Sequence, residues 1–189
     1  MDTKRFEQLQ DRVLGARPPE RWKKPSELLL ALKRTLRDGY ATDLLSSPDS
    51  ILEKWVQLDP KVHPNAPGPP ANGPHEIVGG VKSSRDPRDA HLKRNDGAWI
   101  HFKITVNWDG KEEVQLVSYD FEIVFPAGHT PPWLRIDLNE PGHDNEGLRS
   151  HVHPGNDDLM APAPMMAPEE ILDLFVHGLR PRDAENPRR

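Results

Sequence analysis

The chain has 189 residues, of which 35% are hydrophobic and 21 are proline, and its 30 acidic against 25 basic side chains give a formal charge of -5. That length accommodates one core, or one compact domain with a helical arm, and not two large domains; proline at more than twice its usual share of about 5% requires loop or linker, and the negative balance excludes a protein that grips nucleic acid mainly through its overall field. The absence of cysteine excludes disulfides, thiolate metal sites, iron–sulfur clusters and thiol nucleophiles, so any metal would take histidine and carboxylate ligands.

In chain order, Phe6, Leu9, Val13 and Leu14 recur at helical spacing and predict a first helix over 3–14, stopped by Gly15 and Pro18-Pro19. A second helix is expected to open at Pro25, where the missing N–H costs nothing. Its apolar stripe is Leu28, Leu29, Leu32 and Leu36, with Gly39 as the left-handed terminal residue. A third has Ser47 as its cap and Pro48 at its first position, with Ile51, Leu52, Trp55 and Val56 as its apolar stripe. No apolar run approaches the roughly 18 residues of a membrane span, and the N-terminus lacks a signal-peptide core, so a cytoplasmic protein without a membrane partner is expected.

Between 58 and 75 the run LDPKVHPNAPGPPANGPH has too much Pro, Gly and Asn for a regular element and reads as a linker. A weak strand around 76–81 is undermined by Gly79-Gly80, and 83–97 reads as an exposed charged loop. Two alternating strands then flank Asp109-Gly110, the pair that a type I′ two-residue turn favours. Pairing Trp108 with Lys111 predicts Ile100 opposite Tyr119 and Phe102 opposite Val117. Ile104, Val106, Phe121, Ile123 and Phe125 share that core face, and His101, Lys103, Ser118, Asp120 and Glu122 lie on a wet one.

WLRIDLN alternates again, with Arg135, Asp137 and Asn139 opposite Leu134, Ile136 and Leu138. As a neighbour of the hairpin it would bring His101, Asp120, Glu122, Arg135 and Asp137 to one wall. The segment 140–168 reads as irregular, and a last helix over 168–177 presents Ile171, Leu172 and Phe175 to the apolar side of the sheet. The expected architecture is α+β: an antiparallel sheet with a C-terminal helix on one face, preceded by a small N-terminal helical arm. Residues 1–58 form the arm, 59–75 the Pro-rich linker, 76–180 the sheet domain and 181–189 a disordered tail.

Proton-transferring and phosphate-pairing groups concentrate between 119 and 153, which marks the candidate site. Arg135, Asp137, His143, His151 and His153 are the candidate catalytic residues, and His101, Asp120 and Arg149 the candidate substrate-binding ones. Histidines beside arginine suit metal-free RNA cleavage, in which one imidazole takes the 2′-hydroxyl proton, another protonates the leaving oxygen and guanidinium stabilises the phosphorane. No cofactor is expected. A divalent metal on His151 and His153, with Asp137, His143 or Asp157 as a third ligand, is the less favoured alternative. The bland readings are solvated loop histidines and an Arg135 paired across strands with Asp120, Glu122 or Asp137.

The order of hairpin, Tyr119-Asp120, Arg135-Ile136-Asp137, Asn139 and Pro141 with His143, the close pair His151 and His153, and a final Pro-Glu-Glu helix resembles the TumE-like toxin family over 98–179. That resemblance implies a bacterial toxin or antiviral defence effector, ribonuclease-like in activity, neutralised by a helix-turn-helix antitoxin as protein partner. The stretch HDNEGLRS and the long N-terminal arm depart from the family pattern. The alternative is a non-enzymatic subunit of a larger bacterial defence complex, binding its partner through the helical arm and a sheet edge.

Overall fold

The computed structural model describes residues 22–60, 73–81, 84–111, 113–143 and 147–179. The expected helix over 3–14 and tail over 181–189 lie outside them. Among the described residues, an eight-stranded antiparallel sheet is packed against helices from both ends of the chain, so the fold is α+β.

Helix α1 (Pro25–Ala41) starts at the proline, as expected, and buries Leu28, Leu32 and Leu36 completely. Gly39 does not end it. It lies inside the helix, where an added Cβ would stand 2.6 Å from Val176, so glycine lets the helix approach the C-terminal segment; the left-handed residue is Asp43, at φ 58°. Helix α2 (Asp49–Trp55) begins one residue later than expected, with Pro48 in the capping position. Ser47 is occupied elsewhere, donating to the His91 carbonyl at 2.6 Å and accepting from the Lys93 amide at 3.0 Å. Lys33 and Arg37 of α1 pair with Glu53 and Asp49 of α2 at 2.7–2.9 Å.

Strands β1 (Val56–Pro60) and β2 (Gly73–Gly79) pair antiparallel, so the Pro-rich segment connects two neighbouring strands instead of tethering an arm. The leucines of α1 and α2 belong to the same buried cluster as the sheet, which makes the helical arm part of the core. Gly79 is required within β2: an added Cβ would stand 2.2 Å from the Phe102 ring. Gly79→Ala is expected to cost about 1–3 kcal/mol through overpacking, seen as a lower urea midpoint.

Strand β3 (Leu92–Lys93) and β2 lie end to end along β4 (Trp99–Trp108), which pairs with β5 (Gln115–Val124). The hairpin exists, but its turn is not the two-residue one. The strands stop at Trp108 and resume at Gln115, and Val114 is buried with its amide donating to the Trp22 carbonyl at 2.7 Å. That anchorage lengthens the connection, so Ile100 faces Ile123 and Phe102 faces Phe121, four residues from the expected partners. Four is even, and the inward set therefore keeps its face. At Val117, expected on the core face, the strand is irregular, and Leu116 takes the inward place opposite Val106 instead.

Strand β6 (Trp133–Leu138) pairs with β5 as expected, and β7 (Ser150–His153) and β8 (Ala161–Pro162) follow in order within the stretch expected to be irregular. The four residues of β7 are too few to announce a strand by alternation; docking onto β6 makes them one. Helix α3 (Pro168–Asp173) continues into a π-helical turn over Leu174–Gly178. It buries Ile171, Leu172, Phe175 and Val176 on the apolar face, where Phe121 packs between Phe102 and Phe175. No described helix is long and apolar enough to cross a membrane.

Candidate functional site

The face turned away from the core carries two rows of side chains, set by the register. His101, Glu122, Arg135 and His153 are successive partners across β4 to β7, and so are Lys103, Asp120, Asp137 and His151. The expected wall of His101, Asp120, Glu122, Arg135 and Asp137 is therefore present. It is not uniformly wet. His101 and Glu122 are 2% and 1% exposed, because the loop over 84–91 folds across one end of the face and closes a small apolar cluster of Ala90, Trp99, Val124 and Trp133.

Arg85, from the loop expected to be solvated, is the residue that covers Glu122. Its guanidinium donates to both carboxylate oxygens at 2.7 and 2.8 Å and lies 3.7 Å from the Trp133 ring centre. Burial would raise the Glu122 carboxyl, but Arg85 and His101 outweigh it and hold it at about 2. Asp157 joins Arg85 at 3.3 Å to Arg135 at 2.8 Å, and these two cations, Arg85 foremost, keep its carboxyl below the usual range. Arg135 also donates from Nε to Asp137 Oδ2 at 2.9 Å.

Beside this network, His151 and His153 project from one face of β7 toward Asp137, which lies directly opposite His151 in the register. Their Nε2 atoms stand 3.5 and 3.4 Å from Asp137 Oδ2, and their rings meet edge to face with centres 4.8 Å apart. Both imidazoles are almost fully buried. Burial, with the Arg135 charge adding to it, lowers the His153 pKa, which favours a neutral ring with a lone pair to offer. Asp137 Oδ1 is buried and has no hydrogen-bond partner among the described residues, an omission that ordinarily costs about 1–3 kcal/mol.

These groups line two adjoining hollows of about 590 and 520 Å³ that share Arg135, Asp137, Asn139, His143 and Asp157. The larger is lined by three cations, Arg85, Lys103 and Arg135, against five carboxylates, Asp120, Glu122, Asp137, Glu140 and Asp157. With histidines counted as neutral it carries a net charge of minus two. Asn139 closes the loop between β6 and β7, its amide donating to the Leu148 carbonyl at 2.6 Å. His143 stands exposed on that loop and lines both hollows.

Arg149 lines neither hollow: its guanidinium donates to the Val117 carbonyl, at the irregularity in β5, at 2.7 Å. Expected as a substrate-binding residue, Arg149 is thus placed apart from the other candidates, against the hairpin. Conversely, Arg85, Glu122 and Asp157 form a joined charged contact on the face, in which Arg85 was not a candidate residue, Glu122 was expected only as part of the polar wall and Asp157 only as an alternative metal ligand. Arg85 and Glu122 meet across 37 positions of sequence, so no spacing could announce them.

Comparison with protein-family models, with curated proteins and with solved structures gives no match for this chain.

Proposed function

We propose that the protein acts on RNA as a toxin or defence effector, cleaving phosphodiester bonds at the centre formed by Asp137, His151 and His153. The observation that carries this reading is the convergence of two buried imidazoles and a carboxylate beside the Arg135 guanidinium, at the floor of an open polar hollow. Imidazole and guanidinium are suited to moving a proton near neutral pH and to stabilising charge that develops on phosphorus. The resemblance to TumE-like toxins points the same way and adds a protein antitoxin as the expected partner.

One observation favours the second reading, a non-enzymatic interaction subunit. Arg85 and Arg135 are both already engaged by carboxylates, and the larger hollow is net negative, which suits a basic protein surface better than a bare phosphate. Expression of the intact chain in a bacterial host separates the two. Growth arrest is expected, with His151→Ala combined with His153→Ala relieving it and reducing RNA cleavage by the purified protein roughly 100-fold or more. Equal growth with and without the substitutions, in proteins of matching circular dichroism, removes the enzymatic reading.

A further inference from the structure

We propose that Asp137, His151 and His153 bind one divalent first-row transition-metal ion. The inference deepens the reading above by naming what its centre holds: the two imidazoles become ligands, and water on the ion would take over the proton transfer assigned to them, at a site that does not depend on RNA as the substrate.

The three ligand atoms lie within 4.8 Å of one another, and they come from adjacent paired strands, where backbone hydrogen bonds fix their positions. Bonds of about 2.0–2.2 Å to nitrogen and oxygen place neighbouring ligands roughly 3 Å apart. The observed 3.4 and 3.5 Å between the carboxylate oxygen and the two Nε2 atoms are within a few tenths of an ångström of that spacing. They are long for charge-assisted hydrogen bonds, which run about 2.7–2.9 Å. Three nitrogens, from Arg135, His151 and His153, crowd Asp137 Oδ2, while Oδ1 is buried without a hydrogen-bond partner among the described residues. A cation bound by both carboxylate oxygens beside the two imidazoles keeps the Oδ2 spacing and gives the idle Oδ1 a partner, with Arg135 on Oδ2 as a positioning residue.

Charge points the same way. The adjoining hollow has a net charge of minus two, which one divalent ion neutralises, and an anionic substrate could then enter. Two imidazoles and one carboxylate, with no thiolate, suit Zn²⁺, Mn²⁺ or Fe²⁺, and three protein ligands leave positions open toward the hollow beside Asn139 and His143 for water or substrate.

The test is calorimetric titration of the chelator-treated full chain with Zn²⁺ and with Mn²⁺ alone, alongside the absorption spectrum of the Co²⁺-loaded protein. One ion per chain is expected, with affinity falling at least tenfold in Asp137→Asn and in His153→Ala and holding in the surface variant His177→Ala. Bands of four- or five-coordinate Co²⁺ in the wild-type protein support the site even where a variant fails to fold. Absence of a stoichiometric ion, an aqua-like Co²⁺ spectrum, or undiminished affinity in folded Asp137→Asn and His153→Ala overturns it. Ion binding without RNA cleavage keeps this inference and removes the activity proposed above; RNA cleavage by a chain that binds no ion does the reverse.

Discussion

Arg85→Ala is expected to destabilise the protein by about 3 kcal/mol at pH 7, toward the low end for breaking a buried ion pair because the guanidinium is one-third exposed. The substitution strands the Glu122 carboxylate, 1% exposed, with His101 at 3.3 Å and the more distant Arg135 guanidinium at 3.9 Å as its remaining partners. It also removes the cation stacked on Trp133. The pH dependence follows from the same pair. Folding lowers the Glu122 pKa from 4.5 to about 2, so its contribution is complete above about pH 5 and is lost as pH falls through 4 toward 2. A depression of that size corresponds to about 3 kcal/mol. Urea midpoints at pH 7, 4 and 3 are expected to fall steeply for the wild type and much less for Glu122→Gln, with the gap between wild type and Arg85→Ala narrowing in acid. Parallel curves for all three proteins would show that Arg85 does not hold Glu122 in solution.

Phe121→Ala is expected to cost about 4 kcal/mol, a large fraction of the roughly 5–15 kcal/mol that holds a domain together. Its ring is fully buried, stacked on Phe102 at 5.0 Å between centres and edge-on to Tyr119 at 5.7 Å and Phe175 at 6.5 Å. The cavity left would open where the sheet meets α3, and backbone hydrogen bonds on both sides resist its collapse. Phe125 is only half-buried and stacks on His129, so Phe125→Ala should cost clearly less. A larger loss at Phe125 than at Phe121 would contradict the pairing of Phe121 with Phe102.

The candidate site was partly visible before folding. Alternation alone separated Arg135 and Asp137 from Ile136 and Leu138, and the His-x-His spacing puts His151 and His153 on one side of any extended segment, because in a pleated strand the side-chain direction reverses at every residue. That Asp137 would face His151 was not legible, since it depends on the length of the loop over 139–149 and on how Asn139 pins it. Neither the pairing of Arg85 with Glu122 nor that of Asp157 with Arg135 could be foreseen, since these partners lie 37 and 22 positions apart. Nor could alternation place Arg149, which reaches the Val117 carbonyl at the irregularity in β5.

What the chain determined by itself was local: the α+β class, the helix opened by Pro25, the inward set Ile100, Phe102, Ile104, Phe121 and Ile123, and the polar set behind it. These depend on helical and pleated periodicities that every few residues repeat. Tertiary structure decided the register of the hairpin, the inclusion of the helical arm in the core, the burial of Glu122 beneath Arg85 and the meeting of Asp137 with two imidazoles. Each of these is set by which distant surfaces gain most from leaving water together. With Val114 anchored to Trp22, the pairing of 99–105 moves by four residues, and the inward Ile100, Phe102, Ile104, Phe121 and Ile123 keep their face.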